Sequence, residues 1–150
     1  MGTFEGHLAH GIGLMAIGLW HVLNTARNYA RSAPEQFESR PWFVANAYGS
    51  SRFATKYMEL YVIMLFATVS IVMELFVSPD RHRPWDSDWS IPLSHMNILE
   101  HAAIAIFFFL YALVALVVDK SQVQTPRGLV HALGALAFAQ ELFLFHFHST

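Results

Sequence analysis

Four apolar stretches dominate the chain, near residues 8–26, 54–77, 93–118 and 128–148. Each reaches the roughly 20 residues that a helix needs to cross about 30 Å of hydrocarbon. The first is interrupted only by His10, His21, Asn24 and Thr25, and its Gly11, Gly13 and Gly18 are small enough to let a neighbouring helix approach closely. Ser51 can cap the second, and Ser78-Pro79 stops it, because proline has no amide hydrogen to continue a helix. Pro92 falls in the first turn of the third, where the missing donor does no harm. Thr125 as cap with Pro126 as first helical residue opens the fourth. Between spans one and two lies one substantial polar loop, 27–52, with Pro34, Pro41 and Gly49. The loop between spans two and three carries Trp85 and Trp89, residues suited to a membrane interface. The pattern predicts an all-α, polytopic helical membrane bundle of four transmembrane helices in a single domain.

Composition sharpens this picture. Hydrophobic residues make up 55% and charged residues 13% of the 150 positions, with a mean hydropathy of +0.38, whereas an average soluble domain is about 25% charged. An ordinary soluble domain and a disordered chain are both disfavoured. The chain has no cysteine, which removes disulfides, thiolate metal sites and thiol nucleophiles. A net charge of −2 leaves no electrostatic basis for nucleic-acid binding; membrane lipids are the expected partners. No Lys or Arg precedes Arg27, so the first span is expected to be retained rather than cleaved as a signal peptide.

Charge also orients the bundle. Arg27, Arg31, Arg40, Arg52, Lys56, Lys120 and Arg127 fall on one side, and only Arg81 and Arg83 on the other. Cytoplasmic flanks are rich in Lys and Arg, so the N-terminus is expected on the non-cytoplasmic side of an endomembrane or the plasma membrane.

The remaining chemistry is histidine and carboxylate. With a rise of about 1.5 Å per residue from the midpoints of the spans, Glu100, His101 and Glu141 lie roughly 4 to 8 Å toward the non-cytoplasmic face. His10, Glu74, His95, His146 and His148 lie about 10 to 15 Å out on the same scale, with His7 just beyond. His21, Glu59 and His131 occupy the opposite half. Glu141 and His148, seven apart, share a helix face, as do Asn97 and His101, four apart. His146 and His148 point about 200° apart and cannot chelate one ion without unwinding.

Imidazole with carboxylate suits a divalent transition metal such as zinc, copper, iron or manganese. The expected metal site is His101, Glu141 and His148, with His7, His10 and Glu74 as further ligands or supports. A bound ion there would suit hydrolysis or oxidation of a lipid-like substrate; the sequence leaves open whether the site is catalytic. Three alternatives stay open: a haem held by two histidines such as His10 and His101, a structural or adaptor protein whose polar groups tie helices together without metal, and an ion relay continuing through His21, Glu59 and His131. Phe107-Phe108-Phe109 and Phe143, Phe145 and Phe147 are expected to pack or face lipid. Asp80, Asp86 and Asp88 lack the spacing of a calcium loop.

Phe4-Glu5-Gly6-His7, Gly18-Leu19-Trp20, the paired Glu59 and Glu74, His101 and the Glu141-to-His148 segment resemble the TMEM45-like family, in its plant-type branch. This is a group of eukaryotic multi-pass membrane proteins. The resemblance implies a longer protein with about seven spans, of which this chain is an N-terminal portion or short form. Four short spans with this much polarity are expected to need a second copy or the C-terminal half to close the bundle. The resemblance implies no particular reaction. His7, Glu59, Glu74, His101, Glu141 and His148 are the polar positions it shares with the family pattern, and all but Glu59 belong to the outer group reached from depth alone.

Overall fold

A computed structural model of the chain describes residues 4–44, 56–77, 88–90, 93–126 and 128–148. Their regular structure is all helical: α1 is Phe4–Arg31, α2 is Met58–Val72 continued by a π-helical turn Met73–Val77, α3 is Leu93–Ser121 and α4 is Leu129–His148. The caps expected at Ser51, Ser78-Pro79 and Pro92, together with Trp85 and the charged positions 80–83 and 86, lie outside the described residues.

α1 extends beyond its apolar stretch at both ends and stops where Pro34 approaches. Ser32 N still donates to Asn28 O at 3.0 Å, and the chain then turns through Pro34, with Gln36 N donating to Ala33 O at 2.8 Å. The following segment returns along the last turns of α1. Asn28 Nδ2 donates to Glu38 O at 3.0 Å, the Tyr29 and Phe37 rings meet edge to face at 5.4 Å, and Phe43 reaches the His21 ring at 5.3 Å. Much of the polar loop is therefore a strap folded onto its own helix.

α3 ends with Gln122 in the left-handed region at φ 54°, its amide donating to Val118 O at 3.1 Å to satisfy a terminal carbonyl. The expected start of α4 at Pro126 is corrected. Leu129 N donates to Pro126 O in a turn, and the first helical bond runs from Ala132 N to Gly128 O at 2.8 Å. Gly128 is thus the cap, at φ 87°, a backbone conformation that strains any residue with a Cβ.

α2 and α4 pack on either side of α3, each antiparallel to it. The α2–α3 seam is filled by Tyr57, Leu60, Ile63, Tyr111, Ala112, Ala115 and Leu116, with Ile17, Trp42, Phe108 and Leu133 against its margins. Buried Ala102, Ala105, Ala112 and Ala115 keep α3 slim enough for close neighbours on two sides. On the α4 side Gly134 does the same, since a Cβ there would come within 3.3 Å of the Tyr111 ring. α1 reaches the other helices through Ile17, packed against the seam, and through Trp20 and His21 at Glu59. A Cβ at Gly11, Gly13 or Gly18 would touch nothing within 4 Å, so the expected close helix approach at these positions is not made among the described residues.

Two helices, Met58–Val77 and Ile98–Ser121, are long and apolar enough to cross a membrane, and α4 carries a shorter apolar run, Leu129–Leu144. Only 17% of the apolar window of the first and 33% of that of the second is buried within the molecule. In a soluble protein the core helix is the one that would be covered. Here Leu65, Phe66, Val69, Met73 and Phe76 of α2 are all exposed.

Candidate functional site

Glu59 is the buried charged residue at the centre of the best-defined polar cluster, with 9% of its surface exposed. It sits in the first turn of α2, where a carboxylate is favoured by the positive end of the helix dipole. Three segments converge on it. Trp20 Nε1 of α1 donates to Oε2 at 2.7 Å, His21 Nε2 of α1 lies 2.6 Å from Oε1, and the Phe43 amide of the strap donates to Oε2 at 3.0 Å. Adjacent residues on a helix point about 100° apart, yet Trp20 and His21 both reach this group because they approach its two oxygens from different sides. Beside it the Tyr111 hydroxyl of α3 donates to the Pro41 carbonyl. The strap is thereby pinned at 41 and 43 to two different helices.

A second cluster lies at the same end, between the start of α2 and the end of α3. Asp119 Oδ2 accepts from Lys56 Nζ and from the Tyr57 hydroxyl, both at 2.6 Å. Lys120 Nζ donates to the Tyr61 hydroxyl at 3.1 Å. Both ammonium groups lie near the Tyr57 ring, Lys56 4.8 Å and Lys120 5.4 Å from its centroid, and Lys56 is 6.0 Å from the Trp42 ring. The hydrogen bonds to Asp119 and Tyr57 hold the Lys56 ammonium above the usual lysine range, so it stays charged at any physiological pH.

At the opposite end the sequence-expected metal residues are only partly described. The side chains of His7, His10 and His148, like those of His95 and Asn97, lie outside the described residues. Glu74, in the π-helical turn, and His101 and Glu141 are half-buried, and His146 is exposed. The Tyr111–Gly134 and Phe108–Phe138 contacts set the register of α3 on α4, and Tyr57–Asp119 with Tyr61–Lys120 sets that of α2 on α3. These registers place Glu74 and Glu141 opposite α3 near Ala105, within about one helical turn of His101 in height. α3 stands between α2 and α4, and among the described residues no three His, Asp or Glu side chains gather to hold a metal ion.

No family model, curated protein or solved structure matches the chain. The TMEM45-like resemblance therefore rests on the residues quoted for it.

Sequence reasoning placed His21 and Glu59 in the same half of the bundle but did not pair them with Trp20 or the strap. It did not single out Tyr57 or Asp119. The available signal was a lone Asp directly after the apolar run of α3 and a Lys directly before that of α2, oppositely charged and at one depth. The Phe43 amide had no signal, since every non-proline residue carries the same group.

Proposed function

We propose that the chain is an integral membrane protein of TMEM45-like type, whose four helices all cross the bilayer with the N-terminus on the non-cytoplasmic side. The observation that carries this is the open apolar girth of α2 and α3: large side chains that water would drive inward are left outward along helices of spanning length. α1, with 28 residues, and α4, with 20, have the length to accompany them. The absence of native cysteine makes the topology directly testable. In sealed cells, single cysteines at Ser39→Cys and Gln124→Cys are expected to resist a membrane-impermeant maleimide. Those at Ser90→Cys, Gly2→Cys and Thr150→Cys are expected to react. Protected termini with a reactive Ser90→Cys would reduce the bundle to two spans, and uniform labelling would end the membrane reading.

A second reading is carried by the common height of Glu74, His101 and Glu141. A divalent metal would bind at the non-cytoplasmic end with His148, His7 and His10 completing the donor set; zinc, copper and iron all suit imidazole and carboxylate. α1 is the element that would close the gap left by α3, because His7 and His10 belong to its outer turns. Tag-free protein in detergent is expected to carry about one metal per chain by elemental mass spectrometry, and a folded His101→Ala/Glu141→Ala variant to lose it. A Soret band in the purified protein would replace this ion with haem. Folded, metal-free parent protein would leave a structural or adaptor protein, of which the Glu59 cluster is already the model.

A further inference from the structure

We propose that His21 and Glu59 form a proton-operated latch for the strap, closed when His21 takes up a proton and loosened when His21 gives it back. The strap meets the pair twice through one residue. The Phe43 amide donates to Glu59 Oε2 at 3.0 Å, and the Phe43 ring lies edge to face on the His21 imidazole at 5.3 Å. Beside it Trp42 packs on the Tyr57 ring at 5.4 Å, and the Pro41 carbonyl accepts from the Tyr111 hydroxyl. A closed strap therefore covers the end of the α2–α3 seam, and a loosened one uncovers Tyr57 and Tyr111. The latch works in any solvent around the helices, so it does not rest on the membrane reading.

Unequal burial makes the pair responsive. The Glu59 side chain is 6% exposed and that of His21 30%, so water reaches the imidazole but hardly the carboxylate. A carboxylate only accepts, so the Nε2 that stands 2.6 Å from Glu59 Oε1 carries a hydrogen, and Nδ1 is left to take the proton. The counter-charge for Glu59 has to come from this imidazole. Lys56, one turn earlier on α2, is engaged by Asp119 of α3 at 2.6 Å, and Tyr111, facing Glu59 from α3, is a phenol with no charge in this range. Trp20 does not titrate, and Glu35, Glu38 and Arg40 of the strap are exposed. Closing the strap over a neutral His21 buries an uncompensated carboxylate, whereas closing it over the imidazolium buries an opposite pair. The hydrogen bond between them also becomes charge-assisted, roughly twice as strong as a neutral one. Closure and proton uptake therefore favour each other. By linkage the strap is held most firmly at mildly acidic pH and loses that hold as pH rises through about 5 to 8, where imidazole changes charge.

The test is amide hydrogen exchange of the full chain in detergent, followed by NMR at about pH 8 and about pH 5.5, near the two ends of the imidazole range. The quantity read is the protection factor of the Phe43 amide, which divides out the intrinsic pH dependence of exchange. Protection in the parent is expected to rise about fivefold on acidification, the step from a neutral to a charge-assisted hydrogen bond. His21→Gln keeps a donor for Oε1 without titrating, and Glu59→Gln keeps an acceptor for Phe43 without a charge. Both should hold the strap and show no such rise. His131→Gln, at the same end on α4, should keep it. The parent and Glu59→Gln decide the matter even where His21→Gln fails to fold. Four results would each overturn the latch: protection in the parent that stays level or falls, a rise that survives either substitution at the pair, a rise that disappears with His131→Gln, or one shared equally by the amide of fully buried Ala137 in α4.

Discussion

Replacing Glu59 with alanine is expected to destabilise the folded protein by about 3–5 kcal/mol, the usual cost of removing one member of a buried charged set. The loss comes from the partners left behind. The Trp20 indole, the His21 imidazole and the Phe43 amide all face the carboxylate, and each buried donor without an acceptor costs about 1–3 kcal/mol. Trp20 and His21 are half-buried, so water recovers part of this, which keeps the sum toward the lower end. Glu59→Gln separates hydrogen bonding from charge. Its oxygen can take the place of Oε2 and accept from Trp20 and Phe43, while its amide donates to His21 Nε2 in the other imidazole tautomer. The glutamine variant should therefore retain most of the stability, within about 1 kcal/mol of the parent. Thermal unfolding in detergent measures both variants, and limited proteolysis of the strap between Ala33 and Val44 reports whether it has come loose. A Glu59→Ala protein that melts with the parent and keeps the strap protected would remove Glu59 from its central place. A glutamine variant as weak as the alanine one would show that the His21–Glu59 charge pair, rather than acceptor geometry, holds the cluster.

This cluster marks the boundary of what the linear pattern reveals. Apolar run lengths located the helices well, because span length is set by hydrophobicity alone: 93–118 became Leu93–Ser121 and 128–148 became Leu129–His148. The ends depended on backbone chemistry that residue type only partly encodes. Thr125-Pro126 is a good start signal, yet the chain uses the next turn, because Gly128 can take the positive φ that begins α4 after the Pro126 turn. Depth along each helix was legible, since rise per residue is constant. Counting from span midpoints expects His101 and Glu141 at about 4 to 8 Å and Glu74 at about 10 to 15 Å toward the same face. Azimuth was not legible. It depends on which helix stands next to which, which rise per residue does not encode. The strap shows the same limit from another side. Its pinning by Phe43 and Pro41 uses backbone groups, which no composition or periodicity distinguishes.

Phe66→Arg is the substitution whose sign depends on the solvent around α2. Phe66 lies in the middle of the helix with 62% of its surface exposed, beside Leu65 at 63%. On the surface of a soluble bundle such a change touches no neighbour and belongs to the class that alters stability by less than about 0.5 kcal/mol. It would also remove an exposed aromatic ring and improve solubility. At the centre of a bilayer the same arginine costs about 2.5–3.5 kcal/mol on the insertion scale, on the order of a hundredfold in the insertion equilibrium. α2 has little reserve to absorb this, because it already carries Glu59 and Glu74 near its ends and Thr68 and Ser70 between them. Membrane integration of Phe66→Arg, read by alkaline extraction after translation into microsomes, is therefore expected to fall to a minor fraction. Phe66→Leu should integrate like the parent. Position along the helix supplies the control: Tyr61→Arg, near the headgroup level, can snorkel and should be tolerated far better. An arginine at 66 that leaves integration intact, or that yields more soluble protein, would return the exposed apolar face of α2 to the aqueous side and with it the whole reading of this chain as a membrane bundle.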